Sequence, residues 1–230
     1  MVHSHPFLWE SISVARERFD MSSSEIVAHA QQFPRLRYMG SKYRLLPHLE
    51  RVFAEIGGET AVDAFSGSGV VSYLLKVQGF EVTSNDFLNF PAVIAAATVQ
   101  NSSVRLDSDL IDQICGPPAD DRDFIQTKFD GLYFTPEDRR FLDSAWSHID
   151  RLKGHRRDLA IAALVLSAAR KQPRGVFTFT DGTKYADGRR DLQLTLREHF
   201  RERAADYTTT VFSNGKRSRA RRGEVFDIPH

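Results

Sequence analysis

The stretch TAVDAFSGSGVVSYLL, residues 60–75, decides the fold class of this 230-residue chain. Its first part is a short, mostly apolar run between glycines, which predicts a buried β-strand over residues 60–65. The following SGSG, residues 66–69, predicts a tight turn into a helix that Gly79 ends, and a second strand is expected over residues 80–84. A strand, a glycine turn, a helix and a second strand form the first unit of a doubly wound parallel sheet.

The chain around this unit has mainly helical patterns. Helices are predicted over residues 22–33, with a capping serine, over 42–56, and from Thr135 onward. A further helix over residues 155–169 is apolar on nearly all sides, so we expect it to be buried. Beyond Asn89 and up to about residue 205 strand candidates are few, which predicts a largely helical insertion into the α/β fold.

Composition limits the class of protein. The chain has 31 Lys and Arg against 30 Asp and Glu, so its net charge of +1 gives no reason to infer a nucleic-acid partner. The single Cys115 cannot form an internal disulfide, and no Cys/His cluster has the spacing of a metal site, so we expect a cytoplasmic protein without a metal. The sequence suggests neither a signal peptide nor a membrane span. We interpret His3 and His5 as part of a frayed terminus.

Three short motifs in a fixed order carry the chemistry. The first is RYMGSK, residues 37–42, ahead of a helix whose first amides attract an anion. The second is DAFSGSG, residues 63–69, whose glycines let a ligand approach the backbone. The third is Asn85-Asp86-Phe87, where an acidic side chain can accept from ribose hydroxyls. A phosphate-binding loop is excluded because no Gly-Lys-Ser/Thr follows, and a dinucleotide site is disfavoured because Ser72 stands where a third glycine is expected.

Together these motifs resemble the adenine-specific DNA methyltransferases of the Dam type. The family pattern Tyr-x-Gly-x-Lys-x-x-Leu is matched from Tyr38 to Leu45, Asp-x-Phe-x-Gly-x-Gly-x-Val from Asp63 to Val71 with one residue of slip, and Asn-Asp by Asn85 and Asp86. The match covers residues 37–90. It implies an incomplete Rossmann-like, S-adenosylmethionine-dependent methyltransferase fold. It also implies that the protein acts in a restriction-modification system.

The resemblance also divides the chain and assigns site residues. It implies a cofactor-binding part over residues 1–100, a helical target-recognition insertion over 101–205, and a basic hairpin with a returning strand over 206–230. Tyr38 and Lys42 would line the methionine end of S-adenosylmethionine, and Asp86 would hold the ribose. The residues assigned to the cofactor are Tyr38, Met39, Gly40, Lys42, Asp63, Phe65, Ser66, Gly67, Gly69, Asp86, Phe87, Phe226 and Asp227.

The family's catalytic motif, Asp-Pro-Pro-Tyr, does not occur in the sequence. It supplies acceptors for the exocyclic amine of a flipped adenine and an aromatic face to stack on it. Residues 116–119, Gly-Pro-Pro-Ala, share only the prolines, and we interpret them as a loop. The expectation is a subunit with no catalytic residue of its own, completed by a second chain that carries Asp-Pro-Pro-Tyr. A longer enzyme cut at His230 and a non-catalytic DNA-binding remnant or regulator remain open alternatives.

Local charge suggests where duplex DNA binds. Residues 213–223 carry five positive side chains and no acid, and Asn214-Gly215 is a hairpin turn signal, so a basic hairpin is predicted that follows phosphates or enters a groove. A solvated basic turn is the alternative. A second basic loop follows the buried helix at residue 170, and Arg189 and Arg190 would extend its surface. The DNA candidates are Arg170, Lys171, Arg174, Lys184, Lys216, Arg217, Arg219, Arg221 and Arg222.

Overall fold

A three-stranded parallel sheet lies at the centre of the structure. The computed structural model describes residues 21–36, 40–172, 177 and 188–228. The strands β1 (Thr60–Asp63), β2 (Glu81–Asp86) and β3 (Arg219–Arg222) are neighbours in that order. Asp63 is opposite Ser84 across the first pair, and Asp86 is opposite Arg222 across the second. The predicted α/β fold with an incomplete Rossmann-like sheet is confirmed.

Helices cover the sheet and form most of the remaining described chain. They are α1 (Ser23–Ala30), α2 (Leu46–Ile56), α3 (Val70–Val77), α4 (Asn89–Ala95), α5 (Ser108–Ile114), α6 (Phe124–Lys128), α7 (Pro136–Ile149), α8 (Gly154–Arg170), α9 (Arg190–Gln193) and α10 (Leu196–Thr209). A 3₁₀ turn precedes α2 at Tyr43–Leu45, a π-helical turn, Ala96–Gln100, extends α4, and a second 3₁₀ turn follows β3 at Val225–Asp227. Within the described ranges, no helix has the length and apolar character needed to cross a membrane.

Local side chains determine where the predicted helices begin. At α1 the Ser22 hydroxyl accepts from the amide of Glu25, whose carboxylate in turn accepts from the Ser22 amide. This reciprocal capping box satisfies two amides that lack partners within the helix. At α7 the Thr135 hydroxyl accepts from the Asp138 amide, and Pro136 occupies the first helical position. Both predicted helix starts are confirmed.

One hydrophobic core extends from the sheet-covering helices into the helical region. Tyr73 and Leu74 of α3, Ile94 of α4, and Leu159 of α8 are all fully buried in the same cluster. The helix α8 packs against α4 and α10, as expected for a segment that is apolar on nearly all sides. The hydrophobic core therefore continues across the proposed domain boundary at residue 101. The division of the chain into functional parts stays a prediction.

The predicted basic hairpin over residues 206–230 is wrong. The strand is Arg219–Arg222, inside the basic run, and it pairs with β2 in parallel, while Val225–Asp227 form a 3₁₀ turn rather than the returning strand. The hairpin signal failed because the Asn214 amide group is used elsewhere. Its Nδ2 donates to the carbonyls of Lys76 and Phe80, 2.9 Å from each, which fixes the segment before β3 against the end of α3.

The first strand is less buried than its apolar sequence predicts. Val62 in the middle of β1 is 56% exposed, and Thr60 is exposed as well. The physical reason is the position of the strand in the sheet: β1 pairs only with β2, and none of the described residues forms a strand at its other edge. The prediction of a buried strand at 60–65 is therefore corrected to an edge strand with an uncovered apolar surface.

A buried lysine fastens α3 to the end of α4. Lys76 is only 2% exposed, and its Nζ donates to the carbonyls of Thr98 and Asn101 at 2.9 and 2.7 Å. The ammonium also lies 4.7 Å from the centre of the Phe212 ring. Burial lowers the pKa of Lys76 to about 7. The folded state thus disfavours the charge of this lysine, although it supplies acceptors for all but one of its protons.

Replacing Lys76 by Met should remove a pH dependence of stability. In the unfolded chain a lysine has a pKa of about 10.4, so between about pH 7 and 10 the unfolded state binds more protons at this site than the folded state. In the natural chain, the contribution of Lys76 to the free energy of unfolding should therefore rise with pH in that window, by up to about 1.4 kcal/mol per pH unit, and stay constant below it. The variant should lack this contribution. Urea unfolding at pH 7, 8 and 9 measures this.

The half-buried Lys216 provides the matched control. The Lys216→Met variant should keep the pH slope of the natural chain, whereas Lys76→Met should show a flatter profile. Parallel pH profiles for the natural chain and Lys76→Met would contradict the assignment.

Candidate functional site

The carboxyl end of β2 is the centre of the candidate site. The turn after β1 folds back onto it, because the Ser66 amide donates to the Asn85 carbonyl at 2.9 Å. On the other side the Gly223 amide, just after β3, donates to the Asp86 carbonyl at 3.1 Å. Since carboxyl ends of parallel strands lie along one edge of the sheet, the loops after all three strands meet here.

The glycine turn has a backbone shape that other residues rarely adopt. Gly67 and Gly69 have φ values of +49° and +81°, in the left-handed region. A Cβ atom at Gly69 would stand 3.1 Å from Cγ2 of Ile94 and 3.4 Å from Cζ of Phe33. Gly69 is also the residue before the first turn of α3. The second glycine is therefore needed both for its conformation and for the close approach of α3 to α4 and to the segment that follows α1.

Asp86 organises two loops with one carboxylate. Its Oδ2 accepts from the Gly67 amide and its Oδ1 from the Leu88 amide, each at 2.9 Å. A carboxylate oxygen has more than one acceptor position, so each oxygen can still accept from a ligand hydroxyl. This geometry fits the predicted role of Asp86 as the residue that receives ribose hydroxyls, and that role stays a prediction.

The lysine loop lies beside the glycine turn. The hydroxyls of Ser41 and Ser68 are 3.4 Å apart, and Lys42 Nζ donates to the Gly40 carbonyl at 2.7 Å. The structure therefore brings Gly40, Lys42, Gly67 and Asp86 into one neighbourhood. Tyr38 and Met39, the two remaining predicted residues of this loop, lie outside the described residues.

Asp63 has an internal role in the turn. The hydroxyl of Ser72 donates to its Oδ2 at 2.6 Å and lies 2.8 Å from the hydroxyl of Ser84. Burial raises the pKa of Asp63, and the bond from Ser72 opposes this shift. The carboxylate therefore couples the end of β1 to α3 and β2, a contribution to the shape of the turn that sequence spacing did not reveal.

Three aromatic side chains at this edge of the sheet are exposed. Phe65 follows β1, Phe87 follows β2 and Phe226 follows β3, with exposed fractions of 76%, 63% and 92%. Several exposed apolar side chains close together can mark a binding surface. The backbones of the last two loops are held from β3, because Arg222 Nε donates to the Phe87 carbonyl at 3.4 Å and Arg221 Nη2 to the Asp227 carbonyl at 3.0 Å.

The predicted cofactor residues fit an adenosine-bearing group with a carboxylate. Ser66 is 6% exposed, and its hydroxyl has no partner among the described residues, so it can still bond to a ligand. An unpaired buried hydroxyl is costly in a folded protein, which suggests that a bound group satisfies it. Asp86 would hold hydroxyls, the exposed aromatics would stack on a purine, and Lys42 would pair with a carboxylate.

The predicted DNA residues do not form one surface. Lys216 Nζ lies 3.7 Å from Glu59 Oε2 before β1, at the amino ends of the strands and therefore opposite the candidate site. Arg217 follows it, whereas Arg221 and Arg222 lie at the carboxyl ends. Arg219 is exposed at the start of β3. The basic residues are therefore divided between the amino ends and the carboxyl ends of the strands. A role in DNA binding stays a prediction for each of them.

The second basic loop is partly engaged within the protein. Arg170 donates to the Asp191 carboxylate and to the Arg35 carbonyl, each at 3.3 Å. Lys171 bonds to the Leu194 carbonyl and lies 3.8 Å from Asp138. These contacts position the segment before α10. Arg174 and Lys184 lie outside the described residues.

The proline pair at 117–118 is a loop, as predicted. Its backbone is held by α7, where the Ser144 hydroxyl donates to the Gly116 carbonyl at 3.2 Å and a ring nitrogen of His148 lies 2.8 Å from the Pro117 carbonyl. The segment therefore has a structural explanation. Across the described part of the chain, no group of three or more His, Cys, Asp or Glu side chains could hold a metal ion.

Sequence comparisons give this arrangement a family context. Residues 38–130 match the family described as "D12 class N6 adenine-specific DNA methyltransferase". The predicted resemblance to adenine-specific DNA methyltransferases is thereby confirmed. No solved structure shows significant similarity to the chain.

The named relatives are methyltransferases and modification methylases. The chain is 26% identical over 211 residues to "Type II methyltransferase M2.HphI" of Haemophilus parahaemolyticus, an alignment that covers 86% of this chain and 62% of the relative. It is 39% identical over 79 residues to "Modification methylase StsI" of Streptococcus sanguinis, with 33% of this chain and 12% of the relative covered. It is 35% identical over 78 residues to "Type II methyltransferase M.FokI" of Planomicrobium okeanokoites, with 33% and 12% covered. The chain thus corresponds to less than two thirds of the length of each.

Proposed function

From the match of residues 38–130 to the D12 class N6 adenine-specific DNA methyltransferases, we propose that this chain binds S-adenosylmethionine for methylation of adenine in duplex DNA. The observation that carries the proposal is the Asp86 carboxylate, which accepts from the amides of both Gly67 and Leu88 at 2.9 Å. It stands where the loops after β1 and β2 meet, with an unpaired Ser66 hydroxyl and exposed aromatics nearby.

Each part of the proposed pocket has a defined task. Asp86 receives the ribose hydroxyls, the exposed rings of Phe87 and Phe226 border the adenine, and Lys42 attracts the methionine carboxylate. Gly67 permits the ligand to approach the backbone because it has no side chain. The bound cofactor supplies an activated methyl group on a sulfonium centre. The chain's residues fix that donor relative to the incoming amine, which is how positioning contributes to a transfer reaction.

We propose in addition that the acceptor side of the reaction is formed by a segment outside residues 1–230 that extends the sheet at β1. An apolar groove of about 300 Å³ follows this strand, lined among others by Phe53, Ile56 and Val62. A parallel sheet normally has both faces covered, so an exposed apolar edge strand favours a further strand or helix beside it. A second chain carrying Asp-Pro-Pro-Tyr is the leading source, and a further part of the same polypeptide is the alternative.

The outer side of β3, the other edge strand, is less suited to extension. At β3 the Gln100 Oε1 accepts from the Ala220 amide at 2.9 Å, in place of a neighbouring strand. The arginines of β3 also discourage pairing, since charged side chains protect edge strands. This asymmetry supports growth of the sheet at β1.

The Asp86→Asn variant should bind the non-reactive product S-adenosylhomocysteine at least about tenfold more weakly than the natural chain. An amide oxygen replaces only one of the two charged acceptors, and hydrogen bonds to charged groups are the stronger ones. Isothermal titration calorimetry measures the dissociation constants. Asp107→Asn, which alters a capping carboxylate at the start of α5, is the matched control and should bind as the natural chain does. If the natural chain showed no binding even with DNA present, the non-catalytic DNA-binding alternative would replace this proposal.

Transfer of a tritiated methyl group to duplex DNA should require a polypeptide with Asp-Pro-Pro-Tyr in addition to residues 1–230. The product of an adjacent reading frame tests a second chain, and a natural reading frame that continues past His230 tests the same-chain alternative. Val62→Glu should abolish the complemented activity and keep S-adenosylhomocysteine binding, because it places a charge in the groove beside β1. Phe124→Glu, at a 62% exposed position on α6, is the control. Full activity of residues 1–230 alone would reject this part of the proposal.

A further inference from the structure

We infer that Asn85 is a positioning residue of the cofactor site, which holds the loops after β1 and β3 at a fixed separation around Asp86. This inference rests on the proposed binding of S-adenosylmethionine. Asn85 is 1% exposed and lies one residue before the end of β2, next to the residue proposed to receive the ribose. The predicted site residues do not include it.

One amide group joins the ends of the two outer strands. Asn85 Nδ2 donates to the carbonyl of Ala64, just after β1, and to the carbonyl of Gly223, just after β3, at 3.2 Å each. Both partners are carbonyl oxygens, so the nitrogen of the side chain must face them and the orientation of the amide is fixed. The two loops that carry Phe65 and Phe226 are thus tied through a single NH₂ group in the middle strand.

Within the described residues, the Asn85 side chain bonds only through its nitrogen. Asn85 Oδ1 is buried and has no partner among the described residues. A second buried asparagine shows the contrasting case: Asn214 Nδ2 also donates to two carbonyls, those of Lys76 and Phe80, but its Oδ1 accepts from the Lys216 amide at 3.1 Å. A buried polar atom without a partner reduces stability, so the amide at residue 85 is less favourable for folding than the one at 214. What the Asn85 side chain provides is the bridge between the two site loops.

The chemistry of the bridge gives a specific test. In Asn85→Asp, an ionised carboxylate would face the carbonyls of Ala64 and Gly223 and repel both, so the loops would separate. Protonation would restore a single O–H donor and therefore one of the two bonds. Arg221 is opposite Asn85 on β3 and would favour the charged form, but its Nη2 is bonded to the Asp227 carbonyl. Burial, the two carbonyls and the adjacent Asp86 carboxylate disfavour the charged form, so this carboxyl should gain its proton more readily than an exposed one. Cofactor affinity of the variant should therefore depend on pH in a way that the natural chain does not.

The experiment compares Asn85→Asp with Asn214→Asp in the full chain. The two positions share residue type, burial and a donor group between two carbonyls, but Asn214 is at the amino end of the sheet. Binding of S-adenosylhomocysteine is measured by calorimetry well below the unfolding temperature, from pH 7.5 to 5.5. At pH 7.5 Asn85→Asp should bind about ten- to a hundredfold more weakly than the natural chain, whereas Asn214→Asp should bind normally even if it is less stable. Relative to the natural chain, the affinity of Asn85→Asp should recover as pH falls.

The possible outcomes separate the inference from the function on which it rests. If the natural chain does not bind, the proposed cofactor function fails and the inference falls with it. If the natural chain binds and Asn85→Asp binds equally well, the function stands and the positioning role is wrong. An equal loss of affinity in both variants, without recovery at low pH, would show a general loss of structure and would also overturn the inference.

Discussion

The structure depends on the way the end of β2 holds the loops on either side of it. Two consecutive residues provide these contacts with backbone and side chain together: Asn85 bonds to Ser66, Ala64 and Gly223, and Asp86 bonds to Gly67, Leu88 and Gly223. Parallel strands bring their carboxyl ends to one edge, but this alone does not fix the loops that follow. Polar groups at residues 85 and 86 supply the missing constraint, and a pocket of defined shape results.

The sheet is asymmetric, and the asymmetry relates the fold to the proposed reaction. Gln100 closes the edge of β3 by bonding to the Ala220 amide, whereas β1 has an exposed Val62 and an apolar groove beside it. The methyl donor is proposed to lie between the loops after β1 and β2. A strand that joined the sheet at β1 in parallel would therefore place its own carboxyl end next to the donor. One surface would thus serve both the completion of the fold and the assembly of the reaction centre.

Local sequence patterns predicted those parts of the fold whose stability is decided locally. The capping residues Ser22 and Thr135, the glycine turn at 66–69 and the apolar helix α8 could all be identified because their signals lie within a few residues of each other. The strand β3 could not, since its arginines do not resemble a strand and it is stabilised by pairing with β2, more than 130 residues earlier. The same limit applied to Asn214. Its side chain does not form the predicted hairpin turn, because it donates to the carbonyls of Lys76 and Phe80, which are distant in sequence.

The candidate site was predicted in outline and not in its supporting contacts. Motif spacing selected Lys42, Gly67 and Asp86, and the structure places these residues close together. Spacing did not indicate that Asp63 bonds inward to Ser72, or that Arg221 and Arg222 donate to backbone carbonyls of the site loops. These roles depend on the direction in which a side chain points, which only the folded chain determines. Asn85 could have been suspected, because a polar residue at a buried strand position requires hydrogen-bond partners.

We propose that the loops around Asp86 form the pocket for S-adenosylmethionine. Amide chemical-shift changes on titration with S-adenosylhomocysteine test it most directly, because every backbone amide at this edge of the sheet can be followed. If the ligand binds in this pocket, the amide signals of Gly67, Leu88 and Gly223 should shift together with one dissociation constant, while that of Gly215, at the amino ends of the strands, should not change. Shifts confined to other parts of the molecule, or no shifts at all, would contradict it.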